Sequence, residues 1–123
     1  MNSFMLIAIG NLARNPEIVS KGDMAFTRFC LVGNDYAERD EEGAAREVVT
    51  SVWFVAFGSI GEALARNSRE GDQLIVEAKV RANNGTDPKA VRFIVEGFRF
   101  GAPGPQRRAE LQLRSGPMTT DEE

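Results

Sequence analysis

Residues 47–57 read Glu47-Val48-Val49-Thr50-Ser51-Val52-Trp53-Phe54-Val55-Ala56-Phe57, with no glycine or proline to interrupt them. Branched and aromatic side chains at this density fit a pleated sheet, so the run is expected to be a strand. Its alternation separates two rows: Val48, Thr50, Val52, Phe54 and Ala56 make a plausible core row, and Trp53 and Phe57 share the other face. The period then changes. Ile60, Ala63 and Leu64 recur at helical spacing within Ser59–Arg69, Ser59 can cap the start, Glu62 completes a capping box and Gly71 lies past the end. Gln73–Ala82 alternates again, with Leu74, Val76, Ala78 and Val80 inward and Lys79 and Arg81 outward. Asn84-Gly85 is a hairpin signal, and Ala90–Phe100 reads as the last strand.

Working back from residue 47, Asn34–Glu47 is polar and is expected to be a long hairpin loop. Met24–Val32 alternates, with Ala25, Thr27, Phe29 and Leu31 on one face and Phe26, Arg28, Cys30 and Val32 on the other. Ser3–Ile9 is a short apolar strand interrupted by Gly10-Asn11, which Glu17–Ser20 resumes before the turn signal Lys21-Gly22-Asp23. The order is three strands, a helix and two strands. An all-β, five-stranded Greek-key barrel with one helix between strands 3 and 4 is the OB-fold, whose open face binds oligonucleotides and oligosaccharides. Fold alone does not assign a function. The barrel is expected over residues 1–100. From Gly101 the composition shifts to Gly, Pro, Gln, Arg and Ser, and residues 101–123 are expected to be a flexible tail in which Leu111 and Leu113 could pack locally.

The chain has no histidine and one cysteine, which removes zinc sites and Ser-His or Cys-His catalysis. It has no Walker or GxGxxG loop, so no enzymatic activity, metal or cofactor is expected. Cys30 is expected to be buried filler, as a free cysteine usually is. Phe4–Ile9 is too short for a signal h-region with its cleavage site or for a membrane span, which points to a cytoplasmic protein. The net charge of −3 bears on long-range steering, whereas nucleic-acid binding needs only a local basic stripe.

Three stretches, in order and in register, resemble one family. They are Leu6-Ile7-Ala8-Ile9-Gly10-Asn11-Leu12 followed by Asn15-Pro16-Glu17; Phe29-Cys30-Leu31-Val32 leading into Asn34; and Val55-Ala56-Phe57-Gly58, Gly61-Glu62-Ala63 and Glu70-Gly71-Asp72-Gln73-Leu74-Ile75-Val76-Glu77. The chain is similar over about residues 3–100 to the bacterial single-stranded DNA-binding proteins. The resemblance implies an OB-fold, assembled as a homotetramer rather than a dimer, that binds single-stranded DNA with little sequence preference in replication, recombination or repair.

The departures fit a shortened or divergent paralogue. The family's third-strand tryptophan position falls on Ser51, with Trp53 two residues later on the same face. Phe57 matches the family's aromatic before the glycine, a second tryptophan position aligns with Gly85, and Tyr36 is offset by about one residue from the aromatic after strand two. The family commonly ends in acids and a Pro-Phe tip that recruits replication and repair enzymes; this sequence ends Asp121-Glu122-Glu123, so that role is not carried over.

Aromatic side chains stack on unpaired bases, and basic ones meet phosphates. Trp53, Phe57 and Tyr36 are the candidate stacking residues, and Arg28, Lys79, Arg81 and Arg92 the candidate phosphate contacts. Phe57 reads equally as core, Lys79 and Arg81 also read as a solvated, edge-protecting face, and Arg107 and Arg108 offer a nonspecific phosphate contact. Two rival readings are a primosomal-type OB dimer acting through a replication partner and an OB protein-interaction domain with no DNA role. Oligomeric mass separates the first; an absence of nucleic-acid binding marks the second.

Overall fold

A computed structural model describes residues 2–39, 41–83 and 90–121, leaving aside the side chains of residues 36–38 and 114–121. Six strands and two helices follow in the order β1 (Phe4–Leu12), β2 (Glu17–Lys21), β3 (Met24–Arg39), β4 (Ala45–Phe57), α1 (Gly58–Asn67), β5 (Gln73–Ala82), β6 (Val91–Phe100) and α2 (Pro105–Asp121).

The alternation of β4 works as expected where the strand enters the barrel. Phe54 and Ala56 are buried, and Val52 packs against the same cluster. They meet Phe29 and Leu31 from β3, Leu74, Val76 and Ala78 from β5, Val95 from β6, Leu12 from β1 and Leu64 from α1. Phe29 and Phe54 lie opposite each other in the β3–β4 ladder and stack nearly parallel, with centroids 5.3 Å apart. The core row is shorter than the sequence reading had it: Val48 and Thr50 are exposed. The reason is that Ala45–Thr50 of β4 pairs with Gly33–Arg39 of β3 as a two-stranded ribbon beyond the barrel. The segment read as a polar loop from Asn34 is therefore strand through Arg39. Its paired backbone groups outweigh its polar composition.

The strand count is also corrected. Glu17–Lys21 does not resume β1; after Asn15-Pro16 it forms a separate strand, antiparallel to β3. Gly22-Asp23 makes a two-residue hairpin turn, and Gly22 supplies its left-handed φ of 64°, as such turns require. β1 instead runs along β5 and touches β3 at Asn11 and Leu12. The sheet order is β1-β5-β6-β4-β3-β2, with the β1–β3 pairing joining one end back. The remaining seam, between β4 and β6, is a single parallel pair, Val55 with Ile94. With β2 counted separately, the first helix stands after the fourth strand rather than the third.

α1 begins one residue earlier than expected. Its N-cap is Phe57, with no side-chain cap bond, and its C-cap is Ser68 rather than a glycine. The Ser59–Glu62 capping box is thus not used. What seats the helix is tertiary: Thr27 Oγ1 donates to the Gly61 carbonyl at 2.8 Å. A Cβ on Gly61 would lie 2.6 Å from the Ala56 carbonyl oxygen, so the close approach requires glycine.

The second helix was not expected. Gly101–Gly104 is irregular, but Pro105 opens α2 at a position where its missing N–H costs nothing, and Gln, Arg, Ala, Glu and Leu follow, all good helix formers. Buried Asp72 ties its start to the barrel, accepting from Gly104 N at 2.8 Å and from Arg69 N at 2.8 Å. The Asn84-Gly85 turn lies outside the described residues.

Candidate nucleic-acid interface

The outer face of the β2–β3–β4 sheet can be built from its register. Cross-strand partners point to the same side of a sheet. Glu17 stands opposite Arg28, and Arg28 opposite Val55; one step along, Cys30 stands opposite Trp53; one step the other way, Val19, Phe26 and Phe57 align. Across the seam Val55 meets Ile94, which pairs with Lys79, while Arg92 pairs with Arg81. The four candidate basic residues and two of the candidate aromatics therefore share one outward surface.

Trp53 is 47% exposed while Phe54 beside it is 1% exposed, which puts Trp53 on the open side of the strand. Cys30, its cross-strand neighbour, is buried. Two guanidinium groups lie against the indole, with Arg28 Cζ 5.6 Å and Arg14 Cζ 5.7 Å from the ring centroid. Cation–π contacts at such exposed positions are worth about 0.5–1 kcal/mol. Glu17 joins both: Arg28 Nε and Nη2 donate to Glu17 Oε2 at 3.1 and 3.0 Å, and Arg14 Nη1 lies 4.0 Å from Glu17 Oε1.

Where β4 and β6 share a single backbone pair, a cleft of about 460 Å³ opens on the outer face, lined among others by Arg28, Ser51, Trp53, Val91 and Arg92. A second cleft, of about 370 Å³, is lined by Lys21, Met24, Phe26, Val55, Phe57 and Arg92. Arg92 and Val55 border both. The Arg92 Nε is buried without a hydrogen-bond partner, an uncommon state for a charged group. It is a donor on the border between two open clefts.

Phe57 is outside the core cluster; it is half-buried against Phe26, with centroids 5.9 Å apart. Lys79 is ion-paired with Glu96 at 3.4 Å, and Arg81 is exposed. Tyr36 lies in β3 opposite Glu47, on the ribbon, and its side chain lies outside the described residues. Arg107 is drawn elsewhere, stacked 4.3 Å over Phe100 and donating to the Asn67 carbonyl. Reasoning from the sequence missed Arg14, Glu17, Lys21 and Met24. The signal was present in the two-residue turn at Gly22-Asp23, from which an antiparallel count places Lys21 beside Met24 and Glu17 beside Arg28.

Among the described residues, no cluster of three or more His, Cys, Asp or Glu side chains could hold a metal ion, and no helix is long and apolar enough to cross a membrane.

Known proteins resemble this chain in both sequence and fold. A curated relative, a single-stranded DNA-binding protein of Clostridium perfringens (strain 13 / Type A), is 29% identical over 102 residues, covering 77% of this chain and 63% of that protein. The chain thus spans less than two thirds of that relative's length. The small single-stranded DNA-binding protein of Streptomyces coelicolor superposes with a TM-score of 0.62 at 17% identity, over 82% of this chain and 95% of that one. A Plasmodium falciparum SSB in complex with ssDNA gives 0.64 at 17% identity, over 82% and 99%. The wild-type protein of Thermus aquaticus gives 0.64 at 21%, over 82% and 52%. These structural likenesses speak for the fold. The model of the single-strand binding protein family matches residues 1–96, and the chain belongs to that family.

Proposed function

We propose that this chain binds single-stranded DNA with little sequence preference, on the outer face of β2, β3, β4, β6 and β5, and performs no catalysis. One observation carries the reading most directly: a half-exposed tryptophan, met by two arginines, stands at the mouth of a cleft that holds a partnerless Arg92 Nε. Every base has a π face for an aromatic to stack on, and every nucleotide a phosphate for a guanidinium, so neither contact reads sequence. In this reading one base stacks at Trp53 and a neighbouring base at Phe57. Arg92 reaches the backbone between them, Arg28 and Arg81 track the flanking phosphates, and Lys79 contributes once released from Glu96. Tyr36 is a further stacking candidate on the ribbon. The protein would cover unpaired DNA during replication, recombination or repair.

The same proposal includes self-association, with a tetramer as the expected state. From Phe4 to Gly10, β1 is paired on one side only, and Phe4, Met5, Ile7 and Ile9 are exposed. An open, apolar strand edge of this kind is normally covered, and a second copy of the chain offers the complementary edge.

Tryptophan fluorescence during titration with oligo-dT, at low and high salt and with mass measured on the same sample, tests both parts. Trp53 is the only tryptophan, so salt-sensitive quenching would place a base at this face, and the mass would separate tetramer from dimer. No quenching together with no binding in a gel assay would turn the reading to a protein-interaction domain.

A further inference from the structure

The two cations that lie against the Trp53 ring, Arg28 and Arg14, are already occupied. Two nitrogens of Arg28 donate to one carboxylate oxygen of Glu17, and the other oxygen lies 4.0 Å from Arg14. Both guanidinium groups also lie against the indole. To a guanidinium, a carboxylate and a phosphodiester offer the same thing: anionic oxygens that accept charge-assisted hydrogen bonds. A base that stacks on Trp53 meets these arginines on the ring. The phosphate it brings then asks for donors that Glu17 holds. The Arg28 and Glu17 side chains are 50% and 41% exposed, and exposed ion pairs are weak, so the exchange of partners is within reach of an arriving strand.

We propose that Glu17 is a built-in competitor of DNA phosphate: it occupies Arg28 and Arg14 in the free protein, and each strand that binds displaces it. The proposal rests on the reading of the Trp53 face as the DNA site and adds a residue that makes no favourable contact with DNA. Its effect is to weaken binding and to speed release, since the carboxylate is at hand to recapture Arg28 whenever the phosphate lifts.

The test compares wild type, Glu17→Gln, Glu17→Gln with Arg28→Gln, and Glu110→Gln, titrated into labelled oligo-dT and read by anisotropy at several salt concentrations. Glu110→Gln is the matched control, because it removes the same charge and releases an arginine, Arg69, from a 3.4 Å pair away from both clefts. Glu17→Gln is expected to tighten binding roughly two- to five-fold, the range an exposed ion pair permits. The gain should narrow at high salt, where the Glu17–Arg28 pair is itself screened. The slope of log K against log salt should steepen by up to about 0.7, one further phosphate on a single strand. Adding Arg28→Gln should abolish the gain, and Glu110→Gln should leave affinity unchanged. Unchanged or weaker binding by Glu17→Gln, beside a wild type that binds, overturns the competitor role alone. An equal gain from Glu110→Gln overturns it too, by assigning the effect to net charge. A wild type that does not bind oligo-dT overturns the DNA reading itself and this proposal with it.

Discussion

Trp53 and Phe54 are neighbours in sequence and face opposite ways: one is 47% exposed, the other 1%. Their substitutions should therefore separate binding from stability. Trp53→Ala is expected to leave the urea midpoint near that of wild type and to cost about 1–3 kcal/mol of oligo-dT affinity, the worth of one base stack. Phe54→Ala removes a ring that stacks on Phe29 and meets Phe93 at 5.7 Å. It should cost about 3–5 kcal/mol of stability in denaturant unfolding. Alternation put these two residues on opposite faces, and the apolar row from Val52 to Ala56 pointed to Phe54 as the inward one. Alternation could not show that Arg28 is held by Glu17, because that contact depends on pairing across the Gly22-Asp23 turn and not on the period of one strand.

At the level of elements, short-range signals were reliable and pairing partners were not. The strands at Met24, Glu47, Gln73 and Ala90 were legible because one face of each is buried and a two-residue period shows it. β2 was misassigned because Glu17–Lys21 itself carries no mark of its partner, and the turn at Gly22-Asp23 that folds it back onto β3 lies beyond its end. α2 was hidden by its glycine- and proline-rich approach, and the outer half of β4 by its acidic surroundings. α2 is held by its first turns: the Gly104–Asp72 bond, the Arg69–Glu110 pair and Arg107 on Phe100. Removing residues 105–123 should thus lower unfolding stability by about 1 kcal/mol, the sum of exposed contacts of this kind, and leave oligo-dT affinity unchanged. Asp72→Ala should cost about 2–4 kcal/mol by the same measurement, because it leaves the Gly104 and Arg69 amides without their acceptor.

For the molecule as a whole, the barrel's inward surface is complete and part of its outward surface is not. Ile7 and Ile9 are 68% and 61% exposed along the open side of β1, so a charge there disturbs nothing within one protomer. If the proposed self-association uses this face, Ile7→Lys is expected to lower the mass measured by light scattering while the circular dichroism of the barrel is retained; a mass identical to that of wild type would remove this face from the proposal. The sequence showed these residues as an apolar strand, but could not show that one edge of it stays unpaired, since that is a property of the closed sheet.

The seam between β4 and β6 has a consequence of its own. β1 meets β3 at two pairs, the other antiparallel neighbours are laced over five or more, and β4 and β6 are buttoned by one backbone pair, Val55 with Ile94, so a demand on the barrel's girth would be met there first. Trp53 and Arg92 stand on the two lips. On the proposed DNA-binding reading, a bulky purine and a slim pyrimidine would differ only in how far the lips part, and the proposed indifference to base identity would acquire a mechanical origin beside its chemical one.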